Sequence, residues 1–312
     1  MSDVAEVLGA RFGSARVRRD VSLGPFTTFR VGGPADYLIE TRDSEEIVDA
    51  LRIAHASGVP VTMLGGGSNV LVADTGIRGL VLRTRGGGIR QVGRDAICAD
   101  AAVSINGLVR WTINHGLAGL EAWAGTPGSV GGAIFGNAHF GGRLIGDLVQ
   151  RVRLAHRDGR VAEVTREEMG FGYDRSRIQT SGEVVLSAVF AVSHGEPSTL
   201  RATARTSLHY RKQTQPLERA SAGCVFQNPD PARDRLPDEI PWSAGALIDR
   251  AGLKGVGIGG ARVSSVHGNF IVNEGSAKAD DILRLIERCR HDVQQQFGVR
   301  LREEITYFGF DH

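Results

Sequence analysis

The sequence is poor in cysteine, in long apolar runs and in net charge, and each shortage excludes a class of protein. Its three cysteines, Cys98, Cys224 and Cys289, are widely spaced and form no CxxC pair, which argues against a disulfide framework or a structural zinc site. No apolar run has the length of a membrane-spanning helix, and the first residues lack the basic and apolar regions of a secretory signal. We therefore expect a soluble cytoplasmic protein without a metal site.

Charge of neither sign dominates the chain. Lysine and arginine number 37 against 35 aspartate and glutamate residues, which gives a formal net charge of +2. Proteins that bind nucleic acid or an anionic membrane usually carry a broad basic surface, so we expect neither partner. A chain of 312 residues can form two or three domains with sizeable cores.

Glycine, by contrast, is concentrated in two segments. The segment Gly125–Asn137 holds five glycines, and Gly65–Asn69 reads Gly-Gly-Gly-Ser-Asn. Glycine-rich backbone exposes N–H groups and lets a ligand approach without Cβ atoms in the way, which suits phosphate groups. Neither segment has the Rossmann or P-loop pattern. We expect a long phosphate-bearing cofactor held by both segments; the alternative is a flexible turn or a tight strand crossing.

Apolar runs alternate with stretches of helical spacing, which predicts two α/β blocks. In the first block we expect a helix over 44–58, with Ser44 as its N-cap, and strands at 37–40, 59–64 and 79–82. Further along, we expect strands near 149–155, 160–165 and 184–192, and helices over 104–116, 198–213 and 279–297. The first glycine segment directly follows a strand, where α/β folds commonly bind ligands.

Six motifs follow one another over nearly the whole chain. They are Thr-Phe-Arg-Val-Gly-Gly-Pro-Ala at 28–35, the two glycine segments within 64–72 and 125–137, Ser-Ala-Gly-Cys-Val-Phe-Gln-Asn-Pro at 221–229, and the segments 246–255 and 267–273. Each motif alone is weak evidence. In this order, however, they resemble the UDP-N-acetylenolpyruvoylglucosamine reductase family. The short C-terminal region resembles the second type of that family, which lacks a tyrosine-bearing lid insertion.

The resemblance implies an α+β fold. An FAD-binding domain of the vanillyl-alcohol-oxidase (PCMH) type would have two parts, residues 1–88 and 89–196, followed by an α/β substrate-binding domain over 197–312. It also implies a monomer that binds FAD non-covalently, takes NADPH as hydride donor and acts on a UDP-sugar. The implied FAD-binding residues are Gly65, Gly66, Gly67, Ser68, Asn69, Gly125, Thr126, Pro127, Gly128, Ser129, Gly131, Gly132 and Asn137.

By the same resemblance, NADPH reduces the flavin, and flavin N5 delivers hydride to the β-carbon of an enolpyruvyl ether. The product is UDP-N-acetylmuramate, a peptidoglycan precursor. Charge develops at the α-carbon and its carboxylate, so the protein must supply a cation there and a proton donor. Cys224 occupies the position of the family's serine proton donor, and a thiol, with an ordinary pKa of about 8.5, suits that role. For Cys98 and Cys289 we expect simple apolar packing.

The other candidate catalytic residues match the family pattern less closely than Cys224 does. Glu304 aligns with the family's catalytic glutamate; if its segment is a strand, Glu303 points to the opposite face. The family's Tyr-Arg-x-Ser corresponds here to Tyr-Asp-Arg-Ser-Arg at 173–177, so Arg175 is the first candidate for the catalytic arginine and Arg177 the second. Both could instead be surface charges. The expected substrate-binding residues are Arg211, Lys212, Asn228, His267 and Asn269.

Two other functions stay open at this point. One is a flavoprotein oxidase of the same fold, which often links its flavin covalently through histidine or cysteine; the segment Gly65–Asn69 contains neither. The other is a nucleotide-sugar-binding homologue with impaired catalysis, suggested by the departures at Asp174 and Cys224.

Overall fold

The structure, a computed structural model, describes residues 4–310, and these divide into two units that are each discontinuous in sequence. Unit 1 contains the described part of Met1–Val21, together with Ala35–Gly66 and Arg78–Tyr210. Unit 2 contains Ser22–Pro34, Gly67–Ile77 and the described part of Arg211–His312. The first glycine segment is therefore divided, with Gly65 and Gly66 in unit 1 and the rest in unit 2.

The elements are numbered in chain order. The α-helices of the described residues are α1 (Val4–Phe12), α2 (Ser44–Ala56), α3 (Ile105–Asn114), α4 (Val130–Phe135), α5 (Ile178–Ser181), α6 (Pro197–Thr214), α7 (Ala244–Arg250) and α8 (Ala279–Phe297). The β-strands are β1 (Arg18–Ser22), β2 (Pro34–Thr41), β3 (Val61–Leu64), β4 (Val70–Val72), β5 (Ile77–Thr84), β6 (Ile89–Gln91), β7 (Ala96–Asp100), β8 (Leu117–Ala118), β9 (His139–Phe140), β10 (Arg143–Leu144), β11 (Val149–Ala155), β12 (Val161–Thr165), β13 (Val184–Ala191), β14 (Ser193–His194), β15 (Gly257–Ile258), β16 (Ala261–Val263), β17 (Ile271–Asn273) and β18 (Thr306–Phe308).

A four-stranded sheet in the order β1-β2-β5-β3 forms one part of unit 1, with β3 parallel to β5. The helix α2 precedes β3 and packs its apolar stripe, including Ile47 and Leu51, into the core. The expectation that Ser44 caps this helix was wrong. Asp43 is the N-cap, because its backbone is extended and its carboxylate accepts the Glu46 N–H at 2.8 Å.

The second sheet of unit 1 is antiparallel in the order β12-β11-β13-β7-β6. Its central strand β13 is buried along almost its whole length, because both of its faces are covered. Val184 and Leu186 belong to the core around α2, whereas Val185 and Phe190 belong to a second core that includes α3 and α4. A strand covered on both faces is apolar throughout rather than alternating.

Unit 2 is built around α8, which occupies the predicted range 279–297. Its buried residues recur at helical spacing, from Ile282 through Ile286 and Cys289 to Val293. They pack against α7 and the antiparallel sheet β15-β16-β17. A separate parallel pair joins β4 to β18. No helix within residues 4–310 is both long enough and apolar enough to cross a membrane.

Candidate functional site

The two glycine segments meet within unit 1. A Cβ atom added at Gly66 would lie 2.8 Å from the Gly128 Cα, and one added at Gly65 would lie 2.6 Å from the Ser129 Oγ. Backbone Cα atoms cannot move aside cheaply, so this approach requires glycine. The two segments that stand out in the sequence therefore form one backbone-lined surface of unit 1, at the end of β3.

Asn106 of α3 braces the start of the second segment. Its Oδ1 accepts the Gly125 N–H at 2.7 Å, and its Nδ2 donates to the Thr126 carbonyl at 3.2 Å. Gly125 and Gly128 both have positive φ, +83° and +97°, and Pro127 between them is exposed. Asn106 was not among the predicted site residues, because its partners lie 19 and 20 residues away along the chain and no local motif includes it.

The second half of this segment is helical. Ser129 is the N-cap of α4, with its Oγ accepting the Gly132 N–H at 3.3 Å. Gly131 packs closely on Ala101, to whose carbonyl its N–H donates at 2.9 Å. A capped turn of helix therefore forms once the chain has passed Ser129, so the glycine-rich segment is a loop only in its first half.

Asn137 ends the segment and is fully buried. Its Nδ2 donates to the Gly172 carbonyl at 2.7 Å, and its Oδ1 accepts the Gly146 N–H at 2.8 Å. A Cβ at Gly146 would lie 2.6 Å from that same oxygen. The Asn137 side chain is thus used inside unit 1, where it joins the glycine segment to the turn at Gly172.

The rest of the first glycine segment lies in unit 2, next to Glu304. Gly67 accepts the Thr28 N–H at 2.9 Å, at a position with a φ of +64°. Asn69 donates from Nδ2 to the Glu304 carbonyl at 3.1 Å, and its own carbonyl accepts the Thr306 N–H at 2.9 Å. Ser68, between them, is half-buried. Because these contacts join residues that are far apart in the sequence, no local motif could predict the link between the glycine segment and Glu304.

Cys224 and Glu304 lie on neighbouring stretches of unit 2. The Glu304 N–H donates to the Val225 carbonyl at 2.8 Å, and both Cys224 and Glu304 are half-buried. Of the two adjacent glutamates, Glu303 is the one that forms a β-bridge, and its partner is Phe226. The Glu303 carboxylate forms an ion pair with Arg290. The neighbouring carboxylates therefore have different surroundings, as expected for adjacent residues of an extended chain.

Asn269 holds the Cys224 segment in place. Its Oδ1 accepts the Phe226 N–H at 2.9 Å and its Nδ2 donates to the Phe226 carbonyl at 2.7 Å, while its own carbonyl accepts the Val225 N–H at 2.9 Å. The side chain is buried. A single amide thus satisfies both backbone polar groups of the buried Phe226, two residues after Cys224.

Arg211 is buried in unit 2 and interacts electrostatically with Cys224. Burial lowers the pKa of Arg211 to about 10, and the charge of Cys224 acts in the opposite direction. The expected neighbour Lys212 is exposed, as is Asn228, whose Oδ1 accepts the Ala244 N–H at 3.1 Å. Of the two basic residues at the end of α6, Arg211 is therefore the one associated with the thiol.

His267 is also largely buried. Its Nδ1 accepts the Asn269 N–H at 3.1 Å, and its ring packs edge-on against Phe270 with centroids 4.9 Å apart. Burial lowers the pKa of His267, and the positive charge of Lys254 lowers it further. The imidazole is therefore neutral near pH 7, and its visible contacts support the loop that presents Asn269.

The two arginine candidates lie in different surroundings in unit 1. Arg175 is exposed and follows Asp174 in a turn closed by reciprocal backbone hydrogen bonds between Gly172 and Arg175, of 3.0 and 3.2 Å. Arg177 instead donates from Nε and Nη2 to Glu183, at 2.9 and 3.0 Å. A bidentate pair with a buried carboxylate occupies the Arg177 guanidinium within the protein.

The other two cysteines confirm the expectation of apolar packing. Cys98 lies in β7 and Cys289 in α8, and both are buried. Burial raises the pKa of Cys289 to about 12. Its thiol is therefore protonated at neutral pH and unreactive.

Comparison with known proteins matches two families to the chain. Residues 35–165 match an FAD binding domain, and residues 215–308 match the C-terminal domain of UDP-N-acetylenolpyruvoylglucosamine reductase. A UDP-N-acetylenolpyruvoylglucosamine reductase of Halalkalibacterium halodurans is 36% identical over 294 residues, which cover 94% of either chain. A second relative, UDP-N-acetylenolpyruvoylglucosamine reductase 2 of Symbiobacterium thermophilum, is 39% identical over 295 residues, covering 94% of this chain and 92% of the relative.

Solved structures agree with these matches. A crystal structure of UDP-N-acetylenolpyruvylglucosamine reductase from Thermus caldophilus has a TM-score of 0.76 and 35% identity, over 94% of this chain and 99% of that chain. Wild-type Phl p 4.0202, a glucose dehydrogenase, has a TM-score of 0.50 and 16% identity over 63% of this chain and 45% of that chain, a likeness of fold alone. Together with the FAD binding domain, these matches confirm the predicted α+β fold of the vanillyl-alcohol-oxidase type.

Proposed function

Because the chain belongs to the UDP-N-acetylenolpyruvoylglucosamine reductase family, we propose that it reduces UDP-N-acetylglucosamine enolpyruvate to UDP-N-acetylmuramate, using FAD and NADPH. This reaction makes a peptidoglycan precursor. The observation that supports it best is the hydrogen bond between the Glu304 N–H and the Val225 carbonyl. This hydrogen bond holds the segment of the half-buried Glu304 carboxylate beside the segment of the half-buried Cys224 thiol. A reaction that adds a proton to carbon requires groups positioned in this way.

The glycine surface of unit 1 fits FAD. Gly65 and Gly66 lie against Gly128 and Ser129 at distances that leave no room for a Cβ, so backbone rather than side chains faces a ligand there. Thr126, Pro127, Gly131 and Gly132 extend this surface, and Gly67, Ser68 and Asn69 are the proposed contacts from unit 2. When bound, FAD supplies hydride transfer from NADPH to the substrate.

Cys224 donates the proton that completes the reduction. As the substrate β-carbon gains hydride, the electron pair of the enol double bond moves to the α-carbon, where it takes the proton from the Cys224 sulphur. A thiolate remains on Cys224 until solvent protonates it. The positive charge of Arg211, which interacts with Cys224, stabilises this thiolate. Glu304 stabilises the enol-like state at the same carbon.

A cation must also face the substrate carboxylate. Arg175 is our first candidate because its guanidinium is exposed, whereas that of Arg177 is paired with Glu183. For the rest of the UDP-sugar we propose Arg211, Lys212, Asn228, His267 and Asn269 as binding residues, the last two by shaping the loop. We also propose a cytoplasmic monomer, with FAD-binding parts at 1–88 and 89–196 and a substrate-binding domain at 197–312.

Separate measurement of the two half-reactions tests this function. The purified flavoprotein should consume NADPH only when the enolpyruvyl UDP-sugar is present. Cys224→Ala should leave flavin reduction by NADPH unchanged and slow flavin reoxidation by the substrate by about 100-fold or more, the usual contribution of a general acid. Cys224→Ser should retain part of the activity, because a hydroxyl also donates a proton.

Other outcomes would contradict specific parts of the proposal. If the flavin-loaded protein bound the UDP-sugar without turning over, it would be a binding homologue rather than a reductase. If the flavin stayed on the chain after acid precipitation, its attachment would be covalent, as in many oxidases of this fold. If Cys224→Ala turned over as fast as the unaltered protein, another group would supply the proton.

A further inference from the structure

All four polar groups of the buried Asn269 are used, and three of them hold the Cys224 segment. The side-chain amide binds the N–H and the carbonyl of Phe226, and the backbone carbonyl accepts the Val225 N–H. The fourth group, the backbone N–H, donates to the His267 Nδ1 at 3.1 Å. The His267 ring therefore holds in place the residue that positions the segment of the proposed proton donor.

The ring itself is fixed by its own turn and by α7. The Ser264 Oγ accepts the His267 N–H at 3.4 Å, and the His267 carbonyl accepts the Phe270 N–H at 3.0 Å. A Cβ added at Gly245 of α7 would lie 3.0 Å from the His267 Cε1 and 3.5 Å from the Asn269 nitrogen. Because the Phe270 ring also packs edge-on against the imidazole, the imidazole cannot turn away from Asn269 without a change in packing.

The hydrogen bond from Asn269 fixes the protonation state of the ring. A backbone N–H can only donate, so Nδ1 must carry a lone pair, and the proton of the neutral imidazole lies on Nε2. Protonation of His267 would place a second N–H at Nδ1, facing the Asn269 N–H. Two donors cannot form a hydrogen bond with each other, so this bond exists only while His267 is neutral.

The surroundings of His267 favour the neutral form. Burial lowers the pKa of His267 below its ordinary value of 6.5, and the positive charge of Lys254 lowers it further. The Lys254 Nζ lies 2.6 Å from the Asp249 Oδ2 of α7. The turn that contains His267 has no other ionisable residue, and on the Cys224 segment the thiol is accompanied by the positive charge of Arg211. The ring is therefore protonated only in acidic solution.

We propose that neutral His267 is a positioning residue for proton transfer from Cys224, and that its protonation releases Asn269 and slows this step; the inference rests on the proposed reductase function. This role acts through Asn269 and requires no contact with the substrate. The proton donor itself has the opposite pH dependence, because a thiol loses its proton as the pH rises. A loss of rate in acid can therefore be separated from titration of Cys224.

Nitrogen-15 NMR measures the predicted tautomer without any turnover. In the FAD-loaded protein with labelled histidine, the His267 Nδ1 should carry no proton at neutral pH, and the midpoint of its protonation should lie below pH 6.5. The spectrum of His267→Asn assigns the signal, which is missing there. A proton on Nδ1 at neutral pH would overturn the inference.

Two substitutions of the ring test its kinetic role. Asparagine carries an acceptor oxygen at the same number of bonds from Cβ as the histidine Nδ1 and does not titrate, whereas leucine has no acceptor. His267→Leu should slow flavin reoxidation by the substrate about tenfold at neutral pH, because the buried Asn269 N–H loses its acceptor. His267→Asn should recover most of this rate. If His267→Leu does not fold, His267→Asn still decides through its pH profile.

That pH profile separates positioning from a purely structural role. In the unaltered protein, flavin reoxidation should slow as the pH falls through the lowered pKa of His267. This loss should be absent in His267→Asn and retained in His291→Asn, a control at an exposed histidine of α8. A loss with the same midpoint in His267→Asn would overturn the inference. Absence of turnover in the unaltered protein at every pH would instead overturn the proposed function on which it rests.

Discussion

Unit 1 and unit 2 hold their predicted site residues by different physical means. In unit 1, the glycine segments contact each other by close backbone approach, as between Gly66 and Gly128, and the amide of Asn106 adds a brace to one of them. In unit 2, side-chain amides bind backbone groups across long sequence distances, as Asn269 does with Phe226 and Asn69 with Glu304. Close approach suits a surface for a large cofactor. Amide bracing suits a thiol and a carboxylate whose positions must be fixed relative to each other.

The largest effect is expected at the bracing amide of unit 2. Asn269→Ala would leave the N–H and carbonyl of Phe226 buried and unsatisfied, which costs about 1–3 kcal/mol for each group. The displacement of Cys224 should slow flavin reoxidation by the substrate by about 100-fold. Stopped-flow measurement of both half-reactions would test this, with Gln295→Ala, the loss of an exposed amide in α8, as the control. If Asn269→Ala lost FAD instead, this would contradict the assignment of the cofactor surface to unit 1 and of the fixed thiol to unit 2.

The second effect concerns the close approach in unit 1. Gly66→Ala would place a Cβ 2.8 Å from the Gly128 Cα, and overpacking of this kind costs about 1–3 kcal/mol. We therefore expect FAD to bind about 10–100-fold more weakly, measured by equilibrium titration of the apoprotein. Gly88→Ala is the matched control, because no heavy atom lies within 4 Å of its added Cβ. Unchanged FAD affinity in Gly66→Ala would mean that FAD does not contact this surface.

A smaller effect is expected for the brace of the second glycine segment. Asn106→Ala removes two hydrogen bonds, to the Gly125 N–H and the Thr126 carbonyl. Because this amide is exposed to water, the loss should be about 1 kcal/mol, or roughly fivefold in FAD affinity. The same titration measures it. Asn114→Ala, at the exposed end of the same helix, should leave the affinity unchanged, and an equal loss in both variants would refute the bracing role.

The smallest effect is expected for an ion pair of unit 2, which stabilises the fold by charge, whereas Asn269 and Asn69 do so by amide hydrogen bonds. The Arg302 guanidinium lowers the pKa of Asp234, with its Nη2 2.8 Å from the Asp234 Oδ2. A lowered carboxylate pKa stabilises the fold above the ordinary value near 3.8, and this contribution is lost as the pH falls through the folded-state pKa. Asp234→Asn should therefore reduce the free energy of unfolding by less than about 1 kcal/mol at neutral pH.

Urea unfolding at two pH values would measure this contribution. The difference between Asp234→Asn and the unaltered protein should shrink as the pH falls below about 4, where the aspartate of the unfolded chain becomes protonated, and disappear below the lowered folded-state pKa, where it is protonated in both states. A difference that stayed constant with pH would show that the variant acts by another route than loss of the ion pair with Arg302.

Elements governed by short-range patterns were predictable. The helix α8 occupies the predicted range because its apolar residues repeat at helical spacing over five turns and Gly298 ends it in the left-handed conformation. The cap of α2 was misplaced by one residue. Asp43 and Ser44 both have side chains that can cap a helix, and only the backbone conformation, extended at Asp43, decides between them.

The site was predictable to the extent that its residues lie in local motifs. Glycine density marked the two segments that we propose to bind FAD, and the motif at 221–229 marked Cys224 as the proposed proton donor. No local pattern relates Asp174 to His139, since 35 positions separate them along the chain. For Arg211, a solvated helix end and a buried partner of the thiol are equally compatible with the sequence around it.

The motifs of the sequence were sufficient for the family, and through that resemblance for the fold and the FAD cofactor, because each motif depends on residue type and spacing within a short stretch. Tertiary structure decided which of the predicted site residues are fixed, buried or paired. Arg177 is bound to Glu183, whereas Arg175 is exposed. The reason is physical: burial and pairing depend on neighbours brought together by folding, and these set the charge that each group carries.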